Sequence, residues 1–403
     1  MTERRPNDID GSELEQVCDN LRREGWDKDA LEISETLGVE LKLTGPSAPV
    51  AATGGDKVYV ATARQIVSSL QFRQLGDEGL KRASFRQAVR QVDLEIFSEC
   101  NRRCHYCSNS VVDRHSTNVA MSDQHFDRIV EDLASIDYDR DIRFIGYNES
   151  TMHRAMLVGR LRQLRARLPK AKIIIFSNGD YLNGEYMEEL RLCGVNEMRI
   201  SIHLQPLAPY SDSEMLHRIM LLSNKLGTSP VIQSFVKNTS IRAHLPYRDV
   251  KITMFHGDYE NIGHDRGGVL PDIGRKNQDR HIGCIAPVQM IVFSYNGNVL
   301  PCCHFVGDYA GHQDMVIGNL SDFSSIFDIY DSPSYVAWRK GMFAYGPKTG
   351  PCKTCYDFED DPMMRDAEFF DGMTRPEGEV DLVADRNHSP YGLRIRRRRR
   401  PAP

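Results

Sequence analysis

Residues 92–107 read VDLEIFSECNRRCHYC. Val92 to Phe97 reads as a strand, and it runs straight into a loop carrying Cys100, Cys104 and Cys107 at C-x3-C-x2-C spacing. Three thiolates on one short loop can hold three corners of a [4Fe–4S] cube and leave one iron open. The alternative is zinc, but structural zinc takes four ligands in C-x2–4-C pairs. His105 would complete such a set only with awkward geometry on so short a loop.

Downstream, strand and helix patterns alternate. Helices are predicted over Ser122 to Ile136 (Ser122 a plausible N-cap), Met156 to Leu168, and Glu185 to Cys193, the last closed by Gly194. Strands are predicted over Ile142 to Gly146, Lys172 to Phe176, Met198 to Ile202, Val231 to Val236 and Val250 to Phe255. The three isoleucines within Lys172 to Phe176 suit a strand buried on both faces. The alternation predicts βα units around a parallel sheet or barrel.

Upstream, residues 1–91 form a mostly helical region. It has a helical pattern that follows Asp10-Gly11-Ser12 and runs through Leu21, a helix from Asp27 to Gly38, a short strand from Val39 to Leu43, a linker from Thr44 to Asp56, and a helix from about Ala61 to Arg90. Residues 276–360 lose the alternation. Residues 361–403 are charged and Pro/Gly-rich, end in an arginine run, and are expected to be a disordered tail.

A second cysteine set lies late in the chain. Cys284 is followed by twelve residues, Gly297, four residues and Cys302, then by Ile317-Gly318-Asn319-Leu320 and Cys352-x2-Cys355. Spacing alone does not separate a four-cysteine zinc site from an iron–sulfur cluster. Cys18 and Cys193 read as core, and Cys303 as either core or chemistry.

The cysteine motif, with Tyr106 before its third cysteine, resembles that of the radical S-adenosylmethionine (SAM) enzymes. The later set resembles the SPASM extension, here in its short, twitch form. LEIFSECNRRCHYCSNSV, IIIFSNGDYL, HDRGGVL and FSYNGNVLPC are similar to twitch-type dehydrogenases of aminocyclitol alcohols, over roughly residues 92 to 358. The resemblance implies a partial (β/α)6 barrel over residues 92–275 and a small iron–sulfur domain over 276–360. It implies SAM and two [4Fe–4S] clusters, one binding SAM through Cys100, Cys104 and Cys107. The other, auxiliary cluster would sit on Cys284, Cys302, Cys352 and Cys355. Around SAM it implies Tyr106, Gly146, Asn148 and Glu149 from Gly146-Tyr147-Asn148-Glu149-Ser150, Ser177 and Asn178 from Ser177-Asn178-Gly179-Asp180, and Ser201. Asn148 and Ser150 depart from the family's glycine and proline.

The implied reaction is oxidation of a secondary alcohol on an aminocyclitol or sugar-like small molecule in natural-product biosynthesis. A 5′-deoxyadenosyl radical takes the carbinol hydrogen, and the auxiliary cluster takes the electron. Arg266 would hold the hydroxyl and His304 would accept its proton. Two alternatives stay open. Cys303 could return a hydrogen atom, which makes an epimerase, or residues 1–91 could serve a maturase of a ribosomal peptide. The family implies a one-electron donor such as flavodoxin or ferredoxin.

Charge and hydropathy exclude other classes. The balance of 51 Lys and Arg against 56 Asp and Glu leaves −5, no field for nucleic acid, although the arginine run could grip nucleic acid or an acidic lipid surface. No run of 18 apolar residues exists, and the N-terminus has no signal-peptide core, so a cytoplasmic protein is expected.

Overall fold

The computed structural model describes residues 42–43, 67–274, 279–356, 380–384 and 393–397. The predicted helices running through Leu21 and over 27–38, the linker at 44–56 and Cys18 lie outside the described residues.

The chain divides into two compact units. The first comprises Met1–Gly54, Asp93–Met121 and Asp139–Lys276, and the second Gly55–Val92, Ser122–Tyr138 and Asn277–Pro403. Two helices from the earlier part of the chain therefore belong with its C-terminal residues. These are α1 (Glu78–Ala88) and α2 (Asp123–Ser135). The reason is side-chain packing. Phe85 of α1 meets Phe327 and Tyr330 edge-on, both with centroids 5.3 Å away. Lys81 pairs with Asp328 at 2.6 Å. From α2, Arg128 donates to the Leu320 and Phe323 carbonyls, and Asp132 accepts from the Ile326 N–H.

The stretch predicted as one helix to Arg90 is broken. A 3-10 turn covers Ser69–Phe72, and α1 starts only after Gly76, at φ 69°, and Asp77, whose carboxylate caps the Leu80 N–H. A glycine followed by a capping aspartate restarts a helix rather than continuing one.

In the first unit the strands are β1 (Lys42–Leu43), β2 (Gln91–Leu94, whose second half opens the unit), β3 (Asp141–Phe144), β4 (Lys172–Ser177) and β5 (Glu197–Ser201). After them come β6 (Val231–Val236), β7 (Ser240–Tyr247) and β8 (Val250–Gly257). Their order is β1-β6-β7-β8-β5-β4-β3-β2. β3, β4, β5 and β8 run parallel. β3 is joined to β2 through the Ile145 N–H and the Leu94 carbonyl. Ile173, Ile174 and Ile175 are fully buried, as a strand covered on both faces requires.

Helices α3 (Arg154–Arg167), α4 (Gly184–Leu192) and α5 (Asp212–Lys225) follow β3, β4 and β5. Two elements here were not read from the sequence. α5 carries a Ser211 cap and buried Met215, Leu216, Ile219 and Leu222 at helical spacing. β7 alternates buried Ile241, Ala243 and Leu245 with half-buried Arg242 and His244. It makes β6–β7–β8 an antiparallel meander, so the parallel neighbour of β5 is β8. The short α6 (Tyr259–Ile262) follows.

The second unit continues with α7 (Ala286–Gln289) and an antiparallel set of β9 (Met290–Phe293), β10 (Asn298–Leu300) and β11 (Gly318–Asn319). Next come α8 (Ile326–Tyr330) and α9 (Pro333–Phe343), each capped by a serine. Within the segment read as a disordered tail, β12 (Val380–Ala384) and β13 (Leu393–Arg397) pair antiparallel, and the rest of it after Tyr356 lies outside the described residues. Among the described residues no helix is long and apolar enough to cross a membrane.

The sheet of the first unit is pinned by a buried fork. Arg143 donates to both oxygens of Asp93, at 2.7 and 2.6 Å, and Asp93 is fully buried. Removing one partner of a buried pair strands the other charge. Asp93→Ala is expected to lower unfolding free energy by about 3–5 kcal/mol in urea titrations. A loss under about 1 kcal/mol, the size of an exposed pair, would contradict this account of the sheet.

Candidate active site

The first site grows from the end of β2. Glu95 and Arg114 form a buried pair at 3.1 Å. Arg114 also donates to the Ser98 carbonyl, and its own carbonyl accepts from the Cys100 N–H. The ion pair thus closes the loop that carries the three cysteines. Inside the loop, the Cys107 N–H bonds the Cys104 carbonyl at 3.0 Å, and a 3-10 turn over Ser108–Ser110 follows.

The three thiols are free and act on one another. Burial, and then the neighbouring Glu149, Cys107 and Cys104, push Cys100 up to about 12. Burial and Cys107 push Cys104 up to about 11. Mutually repelling buried thiols are a donor set shaped for a cationic group that takes them as thiolates. Among the described residues, only Cys302, Cys303 and His304 bring three ligand atoms within 4.8 Å of one another. A single tetrahedral zinc, with sulfur at about 2.3 Å, needs its thiols about 3.8 Å apart. The structure draws Cys302 together with Cys303 and His304.

The ends of β3 and β4 supply the polar residues. Glu149 is buried. Its Oε1 accepts from the Thr151 N–H and hydroxyl and from the Ser177 hydroxyl, and its Oε2 from the Asn178 N–H at 2.6 Å. Burial raises its pKa, against the pull of these donors. Gly146 lies against Glu95: a Cβ there would come within 2.5 Å of Glu95 Oε1, which also accepts the Tyr147 N–H. The sequence placed Gly146 at the cofactor; the structure gives it a backbone reason.

Asn148 differs from all of these. Both its amide nitrogen and its amide oxygen are buried and without a hydrogen-bond partner in the protein. A buried amide in that state costs about 1–3 kcal/mol, and it is matched to a ligand with both a donor and an acceptor. SAM, with its ammonium and carboxylate, offers both, so the residues present fit it.

Asn178 joins the β4 turn to the cysteine loop. Its Nδ2 donates to Asn101 Oδ1. Next to it, Asp180 takes a bidentate fork from Arg102 and a bond from the Asn101 amide. Burial opposes charge on Asp180, but the Arg102 guanidinium outweighs it and holds the carboxyl below the usual range. Sequence reading missed this latch, because it joins residues 78 and 79 positions apart.

Tyr106 belongs to an aromatic and histidine cluster. Its hydroxyl bonds His203 Nδ1 at 2.9 Å, and its ring faces Tyr259 at 5.0 Å. His256 stacks on Tyr210 with planes 5° apart. Burial pushes His203 down to about 3 and His256 to about 4, so both are neutral near pH 7. Ser201 hydrogen-bonds Tyr259. His203 and His256 were missed, although both sit at the C-terminal ends of strands, where such sites collect. Arg266 adopts φ 52°, followed by Gly267 at 65° and Gly268 at 88°, and its guanidinium lies 5.9 Å from the Tyr147 ring. That places it one residue from Gly146 and Asn148.

The second site lies within the second unit. Cys284 and Cys352 are part of a buried core with Met290, Leu300, Phe305 and Met342, and Cys302 and Cys303 pack against it. The Cys303 side chain, burial and the Cys303 and Cys284 charges raise Cys302 well above the ordinary thiol value. Burial and Cys284 push Cys352 up to about 12. The Cys355 N–H bonds the Cys352 carbonyl at 3.4 Å. Cys284, Cys352 and Cys302 gathered at one apolar core, with Cys355 hydrogen-bonded to Cys352, fit an iron–sulfur cluster. His304 is drawn to Cys302 and Cys303, while Arg266 belongs to the first unit. Arg280, buried and 3.9 Å from Cys355 Sγ, carried no signal in the sequence.

Asn148→Leu keeps the branched shape and removes the unpaired amide. It is expected to stabilise the cofactor-free protein by about 1 kcal/mol in thermal unfolding. It should also weaken SAM at least about tenfold in calorimetric titration, the loss of about 1.4 kcal/mol. Unchanged SAM affinity would remove Asn148 from the site.

Residues 94–220 match the Radical SAM superfamily, and residues 284–356 match SPASM, an iron–sulfur cluster-binding domain. A curated relative is the S-adenosyl-L-methionine-dependent 2-deoxy-scyllo-inosamine dehydrogenase of Niallia circulans. It is 26% identical over 267 residues, 66% of this chain and 91% of the relative. Among solved structures, BtrN in complex with AdoMet and 2-DOIA is 24% identical at a TM-score of 0.47, covering 63% of this chain and 87% of that one. SuiB of Streptococcus suis bound to S-adenosylmethionine is 12% identical at a TM-score of 0.38, covering 81% and 79%.

Proposed function

We propose that this chain, a radical SAM enzyme carrying a SPASM domain, oxidises a secondary alcohol of an aminocyclitol or sugar-like small molecule to a ketone. The observation that carries the reading is the second thiol site. Cys284, Cys302 and Cys352 share one core, with Cys355 hydrogen-bonded to Cys352. Four protein ligands leave a cluster no open iron for substrate, so its work is electron transfer. The relative's name, a dehydrogenase of 2-deoxy-scyllo-inosamine, points the same way.

When bound, the cofactors supply hydrogen-atom abstraction at a carbinol carbon and, at the auxiliary cluster, a one-electron acceptor. The chain's own residues do the rest. Cys100, Cys104 and Cys107 hold the first cluster. Asn148, Glu149, Ser177, Asn178, Ser201 and Tyr106 hold and orient SAM. Arg266, always charged and rich in donors, holds the substrate hydroxyl and stabilises the alkoxide as its proton leaves. The electron donor in this reading is a flavodoxin or ferredoxin, and the setting is the cytoplasm.

One observation favours a second reading. Cys303 lies beside Cys302 and hydrogen-bonds to it. A thiol there, able to return a hydrogen atom to a carbon radical, would make an epimerase.

Turnover of substrate deuterated at the carbinol carbon, run in light and in heavy water, separates the two. The dehydrogenase yields a ketone, with the carbinol label carried into 5′-deoxyadenosine and no solvent deuterium in the product. An alcohol product carrying one solvent deuterium, lost in Cys303→Ala, would replace this reading with the epimerase. Arg266→Ala is expected to cost about a hundredfold in kcat/KM, the scale for deleting one preorganised donor. A loss under about twofold would release Arg266 from the site.

A further inference from the structure

Arg280 has few of the freedoms of an ordinary arginine. It is 1% exposed. Its Nε donates to the Ile282 carbonyl, one terminal nitrogen to Gly283 and the other to Cys355, at 3.3, 2.7 and 3.1 Å. The nitrogen on the Cys355 carbonyl also lies 3.9 Å from Cys355 Sγ. Its backbone is fixed as well, with the N–H on Lys353 and the carbonyl on Lys348. Lys348 is a second buried cation, whose ammonium donates to the Gly341 and Ala344 carbonyls. The charges of Arg280 and Lys348 both act on Cys352. Arg280 thus lies against Cys355, and the charges of both cations act on Cys352 at the edge of an apolar core.

A buried charge acts strongly because little water screens it. A cluster bound by four thiolates is already net negative, and each electron it accepts adds one further negative charge. A fixed cation at its edge stabilises the reduced form more than the oxidised form, and charge and hydrogen bonds to the sulfurs are recognised levers on cluster potential. We infer that Arg280, seconded by Lys348, raises the reduction potential of the auxiliary cluster and so makes it the electron sink of this enzyme. The word sink rests on the dehydrogenase reading; the effect on potential does not. In that reading the substrate carbon gives up one hydrogen atom to the SAM-derived radical. The hydroxyl then gives up one proton and the carbon radical one electron, leaving the ketone, and that electron reduces the auxiliary cluster by one unit. Arg280 is a positioning residue in this scheme, acting on the cluster and not on the substrate.

The test is a potentiometric titration of the reconstituted full-length holoenzyme followed by electron paramagnetic resonance. The auxiliary signal is the one that SAM does not alter. Arg280→Gln keeps hydrogen-bonding capacity and removes the charge. It is expected to shift the equilibrium at least tenfold toward the oxidised cluster, about 59 mV lower for a one-electron couple. Lys348→Gln should shift it in the same direction, and Arg280→Lys should stay within a threefold change of the parent. Arg280→Gln titrating with the parent overturns the inference. If Arg280→Gln loses its cluster, Lys348→Gln decides by the same criterion; loss of the cluster in both leaves the two cations with a structural role only. A lowered potential in an enzyme that never yields a ketone would keep the tuning role and remove the dehydrogenase reading.

Discussion

The Glu95 carboxylate ties together the parts of the first site. It is 4% exposed and accepts from the Arg114 guanidinium and from the Tyr147 N–H. The first bond closes the loop around Cys100, Cys104 and Cys107. The second sets the chain direction leaving β3, and with it the positions of Asn148 and Glu149. Gly146 is a consequence, because Glu95 occupies the space that any side chain there would need. The Glu149 N–H on the Glu99 carbonyl and the Asn109 amide on the Tyr147 carbonyl tie the same two segments beside it.

Glu149 extends the same principle by one strand. Its two oxygens gather donors from its own turn and from the end of β4. Asp180 closes the circuit by taking Arg102 and Asn101 from the cysteine loop. Three buried or half-buried carboxylates thus hold three strand ends at one place, and each is matched with donors, as buried charge requires. Other buried atoms nearby, Ser108 Oγ and Asn109 Oδ1 among them, also lack a partner, but Asn148 has both its amide nitrogen and its amide oxygen unmatched, and that points to what the site is built to receive.

Much of this was legible in the sequence, for a physical reason. The cysteine loop, the Ser122 cap, the isoleucines of β4 and Gly194 are local signals, set by neighbours within a few residues. The C-x3-C-x2-C spacing and the turns after β3 and β4 are local in the same way. What escaped was non-local. The Arg102–Asp180 latch and the Arg280 contact with Cys355 join residues 78 and 75 positions apart and have no spacing to recognise. The membership of α1 and α2 in the second unit depends on Phe85, Lys81 and Arg128 finding partners more than 190 residues onward. By contrast, α5 and β7 carried ordinary helical and alternating patterns that reasoning from the βα repeat passed over.

The central claim is that this chain holds two iron–sulfur clusters and that the second accepts an electron. Metal and sulfide content per chain after anaerobic reconstitution tests it most directly. Two cubanes require about eight irons and about eight sulfides, with no zinc retained. About four irons, with one zinc held by the Cys284, Cys302, Cys352 and Cys355 set, would contradict it. The electron would then have no acceptor in the protein.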